Sequence, residues 1–272
     1  MGGLERKKIW TGIIIVPPLI LLILWGPPWV LSLMVLIATL LGLREFYGLS
    51  LPHSKRIERL VGIGSGLILT ALLSWGNMKT TPLFLVFLLL ILTVLFMASS
   101  QDLAMTTLRI GISLFGILYI GFLLSHVSMI RNLAHGKQWA LFLILTVWAG
   151  DISAYSVGSL LGRHKLYPKI SPKKTYEGLV GAIIGSIVMA LAFASLFLPQ
   201  IEKGVSILLA IGIGIFGQLG DFTESMLKRS AQVKDSGNLI PGHGGMLDRV
   251  DSFLFSAPFL YYSLIYLLEE TP

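Results

Sequence analysis

Residues 204–227 read GVSILLAIGIGIFGQLGDFTESML, and this stretch decides the fold. No charge occurs before Asp221, and a helix needs only about 20 mostly apolar residues to cross a bilayer. The chain of 272 residues is 54% hydrophobic and 13% charged, whereas soluble domains carry about 25% charged residues. Its mean hydropathy is +0.81. The sequence therefore predicts an all-α, polytopic integral membrane protein.

Eight further apolar runs flank this stretch and end at Pro, Gly or polar clusters. We expect one membrane-embedded domain over residues 1–272, in which 1–130 carry no clear motif and 139–272 carry the functional site. Because Pro17-Pro18 interrupts the first run and no small-residue cleavage site follows, we expect a retained helix there rather than a signal peptide. The nine predicted spans are 9–25, 28–49, 58–76, 82–99, 108–130, 139–161, 177–199, 204–227 and 252–268.

The distribution of basic residues predicts the orientation of these spans. Of the 21 Lys and Arg residues, 17 fall in loops on the side of the N-terminus. Cytoplasmic loops carry the excess of Lys and Arg, so we expect the N-terminus and the loops 162–175 and 228–251 in the cytoplasm, with the protein in the cell (inner) membrane. The four residues on the other side are Lys79, Arg131, Lys137 and Lys203.

Composition also excludes several functions. The chain has no cysteine, which excludes disulfides, thiolate zinc sites and cysteine nucleophiles. Its net charge of +7 is explained by the loop bias, and the aromatic-plus-basic surface of a nucleic-acid-binding protein is missing, so we expect no nucleic-acid partner. Gly212–Gly217 spells GxGxxG, but it lies inside an apolar run rather than a strand–turn–helix unit, which favours close helix packing over dinucleotide binding.

Polar residues concentrate at the end of the quoted stretch. If the helix continues, Asp221, Ser225 and Lys228 share one face, with Glu224 alongside and Arg229 next to it. Charge in lipid is unfavourable, so an acid at the end of a membrane span indicates a partner or a function. A bland alternative is that Lys228 and Arg229 bind anionic lipid headgroups without chemistry.

A glycine-rich loop and two more acids follow. Lys234 is followed by His243-Gly244-Gly245, where glycines free the backbone to point N–H groups at an anion. Asp248 and Asp251 can then share a face of the last helix. Carboxylates at both ends with cations between them suit phosphates and a divalent metal such as Mg²⁺. Structural charge pairing is an equal alternative for Glu224, Asp235 and Arg249.

These residues resemble the signature of the CDP-diacylglycerol synthase (phosphatidate cytidylyltransferase) family. The segment 171–178 and Gly150-Asp151 are also similar to blocks of that family. The matching positions of the signature are Ser225, Lys228, Arg229, Lys234, Asp235, Gly237, Pro241, His243, Gly244, Gly245, Asp248, Arg249 and Asp251.

The resemblance implies that CTP and phosphatidate give CDP-diacylglycerol and pyrophosphate, with Mg²⁺ required. Our hypothesis assigns the metal, with room for a second cation, to Asp221 and Asp248, with Asp251 as a further ligand. Asp221, Asp248, Lys228 and His243 form the predicted catalytic set. The predicted substrate-binding residues are Ser225, Arg229, Lys234, Gly244, Gly245, Arg249, Lys173, Lys174, Thr175 and Asp151.

The upstream block supplies the last of these residues. Ser171 followed by Pro172 predicts a helix N-cap with proline at the first helical position. Lys173 and Lys174 would then meet either substrate phosphates or anionic lipids. Asp151, inside an apolar helix, needs a partner, and we favour a role in the site over a structural ion pair.

Rival functions predict other patterns. A CDP-alcohol phosphatidyltransferase would open its motif with Asp-Gly and Ala-Arg, which this sequence lacks. A transporter would spread its polar groups over several mid-membrane positions or repeats. An archaeal-type lipid acceptor remains an alternative substrate. The expected partners are CTP, phosphatidate and membrane lipids, and a homodimer is compatible with the sequence.

Overall fold

The protein is a bundle of long apolar helices. The computed structural model describes residues 17–51, 55–76, 80–99, 103–237 and 244–270. Eight helices within these ranges are long and apolar enough to cross a membrane. They are α1 (Pro28–Ser50), α2 (Arg56–Trp75), α3 (Thr81–Ser99), α4 (Leu103–Arg131, with a π-helical stretch at Ile117–Phe122), α5 (Gly136–Leu161), α6 (Tyr176–Phe197), α7 (Lys203–Ser230) and α8 (Leu247–Leu267).

These helices confirm the predicted all-α, polytopic architecture. Each of the last eight predicted spans corresponds to one observed helix. The largest displacements are at the starts of α4, which begins at Leu103 instead of residue 108, and of α8, which begins at Leu247 instead of residue 252. Of the first predicted span, residues 17–25 are helical, and the rest lies outside the described residues.

The segment between α5 and α6 differs from the prediction. It forms an antiparallel hairpin of β1 (Lys165–Tyr167) and β2 (Ser171–Thr175), with Lys165 opposite Thr175. The expectation that Ser171 caps a helix is therefore wrong. Thr175 is the N-cap of α6, and its Oγ1 accepts the N–H of Gly178 at 3.1 Å. Pro172 is compatible with β2 because a two-stranded sheet has only edge strands.

Apolar side chains cover the outside of the bundle. On α3, Leu83, Val86, Phe87 and Leu90 are all at least half exposed. Exposed apolar patches of this size are rare on soluble monomers. The outer surface therefore matches a hydrocarbon solvent, whereas the core is filled by large side chains such as Trp139.

Glycines bring α7 and α8 into close contact. A Cβ at Gly212 would lie 2.0 Å from the ring of Phe259, and a Cβ at Gly220 would lie 2.2 Å from the carbonyl oxygen of Asp251. Small residues allow this approach of two membrane helices. The GxGxxG segment is thus part of a helix–helix contact, as predicted. The contact at Gly220 also places Asp221 beside the first turns of α8.

Candidate functional site

The end of α7 presents its polar residues on one face. The helix continues to Ser230, so Asp221, Ser225 and Lys228 line up as predicted. Ser225 Oγ lies 3.5 Å from Asp221 Oδ1. Glu224 is only 1% exposed, which places a carboxylate inside the bundle rather than in solvent.

Three carboxylates from α7 and α8 converge beside this face. One oxygen from each of Asp221, Glu224 and Asp251 lies within 4.8 Å of the other two. We call these residues the three-acid group. Its geometry depends on the close approach at Gly220, because a wider separation of α7 from α8 would withdraw Asp251.

The hairpin contributes a cation to the same place. Lys174, on β2, puts its Nζ 2.7 Å from Asp221 Oδ2 and 4.0 Å from the centre of the Phe222 ring. A cation over an aromatic face is stabilised by the ring quadrupole. Lys173, the preceding residue of the strand, is exposed. The structure therefore brings Lys174, but not Lys173, to the three-acid group.

Lys228 joins the three-acid group to Asp248. Its Nζ lies 2.5 Å from Glu224 Oε2 and 2.5 Å from Asp248 Oδ1. The side chain of Lys228 is 13% exposed, so both contacts are partly shielded from water. One lysine thus holds a carboxylate from each of the two helices.

Asp248 also organises the loop before α8. Its Oδ2 accepts hydrogen bonds from Ser236 N, Ser236 Oγ and Gly245 N, at 3.0, 2.8 and 2.8 Å. Gly244 has φ +78°, and a Cβ there would lie 2.6 Å from Asp248 Oδ2, so glycine is needed. The N–H of Gly245 is therefore engaged by Asp248, and its role as a donor to substrate stays a prediction.

The position of Asp248 separates it from the other predicted metal ligands. Asp221 and Asp251 belong to the three-acid group, whereas Asp248 reaches that group through Lys228. Glu224 stands in the place that the sequence hypothesis gave to Asp248. The metal assignment of Asp248 stays a prediction.

Asp151 lies next to these residues in the interior. Its Oδ1 accepts a hydrogen bond from Gln218 Nε2 at 3.3 Å, and Ser252 Oγ lies 3.3 Å from its Oδ2. It also interacts electrostatically with Asp221 and Lys174. Asp151 is therefore connected to the site through polar neighbours on α7 and α8.

The other predicted residues lie around the edge. The guanidinium of Arg229 donates to the carbonyl oxygens of Ile170 (3.3 Å) and Val233 (3.0 Å), which ties the hairpin to the end of α7. Lys234 and Arg249 are exposed. His243 lies outside the described residues.

The sequence reasoning missed one acid, Glu45. This residue of α1 bonds to Ser236, Met246 and Leu247, beside Asp248. A signal was present, because a carboxylate within an apolar helix requires partners. The sequence gives no indication that those partners lie about 200 positions further along the chain.

The donor set suits a hard divalent cation. Mg²⁺ takes carboxylate oxygens, retains waters and binds phosphate oxygens. In the described part of the site, the ion pairs of Lys174 and Lys228 set two positive charges against four carboxylates, those of the three-acid group and Asp248. Glu224 is buried and the other three carboxylates are partly buried. Carboxylates in such places that exceed their counter-charges are unfavourable, and a divalent cation would remove that excess.

The fold and site together define a multi-pass membrane protein with an acidic, lysine-bearing site at one end of its bundle. A model of the cytidylyltransferase family matches residues 6–267, and the chain belongs to that family. This match confirms the resemblance found in the sequence.

Curated relatives carry a more specific name. The phosphatidate cytidylyltransferase of Bacillus subtilis (strain 168) is 44% identical over 186 residues, which cover 67% of this chain and 66% of that protein. The phosphatidate cytidylyltransferase of Staphylococcus saprophyticus is 43% identical over 152 residues, covering 56% of this chain and 58% of that protein. The matched stretches span less than two thirds of the length of either relative.

Proposed function

We propose that this protein is a phosphatidate cytidylyltransferase, which converts CTP and phosphatidate into CDP-diacylglycerol and pyrophosphate. The observation that carries the proposal is the excess of carboxylates over lysines at one end of a membrane bundle of the cytidylyltransferase family. Such a site suits two polyanionic substrates with a divalent cation. The names of the relatives supply the substrate class.

The reaction makes modest demands on the protein. An oxygen of the lipid phosphate bonds to the α-phosphorus of CTP, and the bond from that phosphorus to the bridging oxygen of the β-phosphate breaks. The electron pair of the broken bond leaves with pyrophosphate. The lipid phosphate is already ionised at neutral pH, so no strong general base is required. Positioning and charge neutralisation supply the catalysis.

The three-acid group would hold Mg²⁺, with Asp248 as the predicted neighbouring ligand and room for a second cation. Bound metal neutralises charge on the phosphates and on the leaving pyrophosphate. Lys174 and Lys228 lie beside these carboxylates and can exchange them for phosphate oxygens. Ser225 is placed to donate a hydrogen bond from the same helix face.

The exposed basic residues at the edge of the site are suited to attracting anionic substrates. Lys173, Lys234 and Arg249 are exposed and would attract CTP or anionic lipid. Arg229 would hold the hairpin against α7 through Ile170. His243 stays a predicted hydrogen-bond donor to substrate.

We further propose that the site faces the cytoplasm from the cell membrane. The support is the division of basic residues, 17 against 4, and the supply of CTP on that side. Because the chain has no cysteine, single cysteines can report the orientation. In intact cells a membrane-impermeant maleimide should label Lys137→Cys and leave Lys169→Cys unlabelled until the membrane is opened. The reverse pattern would overturn the orientation.

The activity is tested with purified protein in detergent, supplied with CTP, phosphatidate and Mg²⁺. We expect stoichiometric release of pyrophosphate and formation of CDP-diacylglycerol. Omitting phosphatidate should stop pyrophosphate release, which separates lipid transfer from CTP hydrolysis. Failure of the wild-type protein to form the liponucleotide would overturn the proposed function.

A further inference from the structure

Glu45 connects the N-terminal helices to the site. Its Oε1 accepts the N–H of Met246 at 2.7 Å, and its Oε2 accepts the N–H of Leu247 at 2.9 Å and the hydroxyl of Ser236 at 2.9 Å. Glu45 lies near the end of α1, which closes at Ser50. A single carboxylate from the first long helix therefore binds both sides of the loop that precedes α8.

Two of these donors are the free N–H groups at the start of a helix. Because α8 begins at Leu247, the N–H groups of Met246 and Leu247 have no acceptor within the helix. The positive end of the helix dipole also attracts a carboxylate. The N-cap residue of α8, Met246, makes no side-chain capping hydrogen bond, and Glu45 supplies an anionic cap from another helix.

The loop is shaped to admit this carboxylate. A Cβ at Gly245 would lie 2.3 Å from Glu45 Oε2, and a Cβ at Gly237 would lie 2.8 Å from Glu45 Oε1. Any larger residue at Gly245 would displace Glu45 or Ser236. These two glycines, which belong to the family-like signature, are needed here for the approach of Glu45.

The contacts of Glu45 lead directly to the site. Ser236 Oγ lies 2.9 Å from Glu45 Oε2 and 2.8 Å from Asp248 Oδ2, so the two carboxylates share one hydroxyl. Asp248 is the second residue of α8, and Asp251 of the three-acid group is one turn further along the same helix. Glu45 is thus one hydroxyl away from Asp248, which holds Lys228.

We propose that Glu45 is a positioning residue of the site, which fixes the start of α8 so that Asp248 and Asp251 keep their places beside α7. This inference rests on the proposed function for its kinetic consequences. Its effect on cation binding and on the N–H groups of Met246 and Leu247 does not depend on that function. Residues that orient metal ligands typically contribute 10- to 100-fold to metal affinity or activity.

The test compares wild type with Glu45→Gln, Ser236→Ala and a matched control, Glu202→Gln. Glutamine keeps the size of Glu45 but offers one oxygen to three donors. Glu202 is exposed and precedes α7 at the opposite end of that helix from the site. For each purified protein we would measure Mg²⁺ affinity by calorimetry without substrate, hydrogen exchange at residues 244–251, kcat, KM for CTP, and Tm.

We expect Glu45→Gln to weaken Mg²⁺ binding and lower kcat by about 10- to 100-fold, with faster exchange at Met246 and Leu247. KM for CTP should change less than kcat, because the substrate-facing lysines remain. Glu202→Gln should match wild type. A purely structural role would lower Tm and leave Mg²⁺ affinity unchanged, and that result would overturn the proposal.

If Glu45→Gln does not fold, Ser236→Ala tests the proposed positioning role of Glu45. It removes only the shared hydroxyl, and we expect about a tenfold loss of Mg²⁺ affinity. Wild-type affinity and exchange in Ser236→Ala would overturn the inference. If wild type itself forms no liponucleotide, the proposed function fails, and calorimetry and exchange still test Glu45.

Discussion

An ion pair in the N-terminal helices and the acidic site in the C-terminal helices neutralise their carboxylates in different ways. In the N-terminal helices, Glu58 of α2 is fully buried and forms an ion pair with Arg109 of α4. In the C-terminal helices, the three-acid group and Asp248 meet the two ammonium groups of Lys174 and Lys228. The first arrangement has a cation for its acid, whereas the second has four carboxylates for two cations.

This difference separates a carboxylate with a matching cation from a group of carboxylates that outnumber their cations. A buried ion pair with matched charges holds helices together and has no need of a ligand. An excess of carboxylates is unfavourable without a further cation, so we expect a cation to complete the site. Charge balance therefore distinguishes the Glu58–Arg109 pair from the three-acid group and Asp248.

The largest expected effect is on turnover, from Asp221→Asn. This change removes one charge from the three-acid group and the partner of Lys174. We expect kcat to fall by about 10²- to 10³-fold, or ~3–4 kcal/mol of transition-state stabilisation, with no loss of fold. Pyrophosphate release measures the effect. Near-normal turnover would show that the three-acid group is not needed for catalysis.

Glu58→Gln tests the ion pair of the N-terminal helices, in which Glu58 binds Arg109. It leaves Arg109, which is 19% exposed, without its carboxylate partner. We expect the free energy of unfolding to fall by about 3 kcal/mol, the low end for a broken buried pair. Denaturant titration in detergent measures that free energy, and kcat below the transition should equal that of wild type. If fully folded Glu58→Gln selectively lost kcat, the Glu58–Arg109 pair would not be purely structural, and its contrast with the three-acid group would fail.

Magnesium should stabilise the folded protein by binding at the three-acid group. At about a hundred times its dissociation constant, a ligand that binds only the folded state adds ~2.7 kcal/mol. We therefore expect Tm to rise when Mg²⁺ replaces EDTA, in wild type and in Glu58→Gln. The rise should be smaller in Asp221→Asn. Equal shifts in all three proteins would place the cation elsewhere.

The smallest effect is expected from Gly220→Ala. The new Cβ would meet the carbonyl oxygen of Asp251 at 2.2 Å, and such overpacking lowers stability by about 2 kcal/mol. Separation of α7 from α8 should also lower kcat. Gly64→Ala is the matched control, because no atom lies within 4 Å of its Cβ and alanine is the better helix former by about 1 kcal/mol. Equal Tm values for the two variants would contradict the close contact.

The apolar runs of the sequence, and the residues that interrupt them, predicted most of the fold. The eight helices follow from apolar runs whose ends are marked by Pro, Gly or charge. The predicted span 204–227 extends beyond Asp221, and the observed helix continues to Ser230, which is the condition under which Asp221, Ser225 and Lys228 share one face. These features are local, so a single stretch of sequence contains the information.

The hairpin was not predicted because its signal is weak. Residues 165–175 include lysines and prolines and show no regular alternation of apolar residues. Ser171-Pro172 is typical of a helix start, but pairing with β1 prevailed, and Thr175 took the capping role. Tertiary contacts with Asp221, made by Lys174, are consistent with this outcome.

Glu45 was missed for a different reason. Its partners are separated from it by 191 to 202 positions, and no periodicity relates such distant residues. Asp248 was placed with the metal ligands because sequence spacing shows which residues share a helix face, but not which partners face them. The contacts with Lys228 and Ser236 exist only once the helices are packed.

The two contacts of Lys228 have a thermodynamic consequence. The ammonium binds Glu224 and Asp248 together, so an anion that draws the lysine away leaves two carboxylates without a counter-charge. We would then expect those carboxylates to bind a cation more tightly. By linkage, a cation that occupies the carboxylates makes the lysine more available to an anion by the same factor. Nucleotide and metal would therefore each promote the binding of the other, with Lys228 as the group that is exchanged.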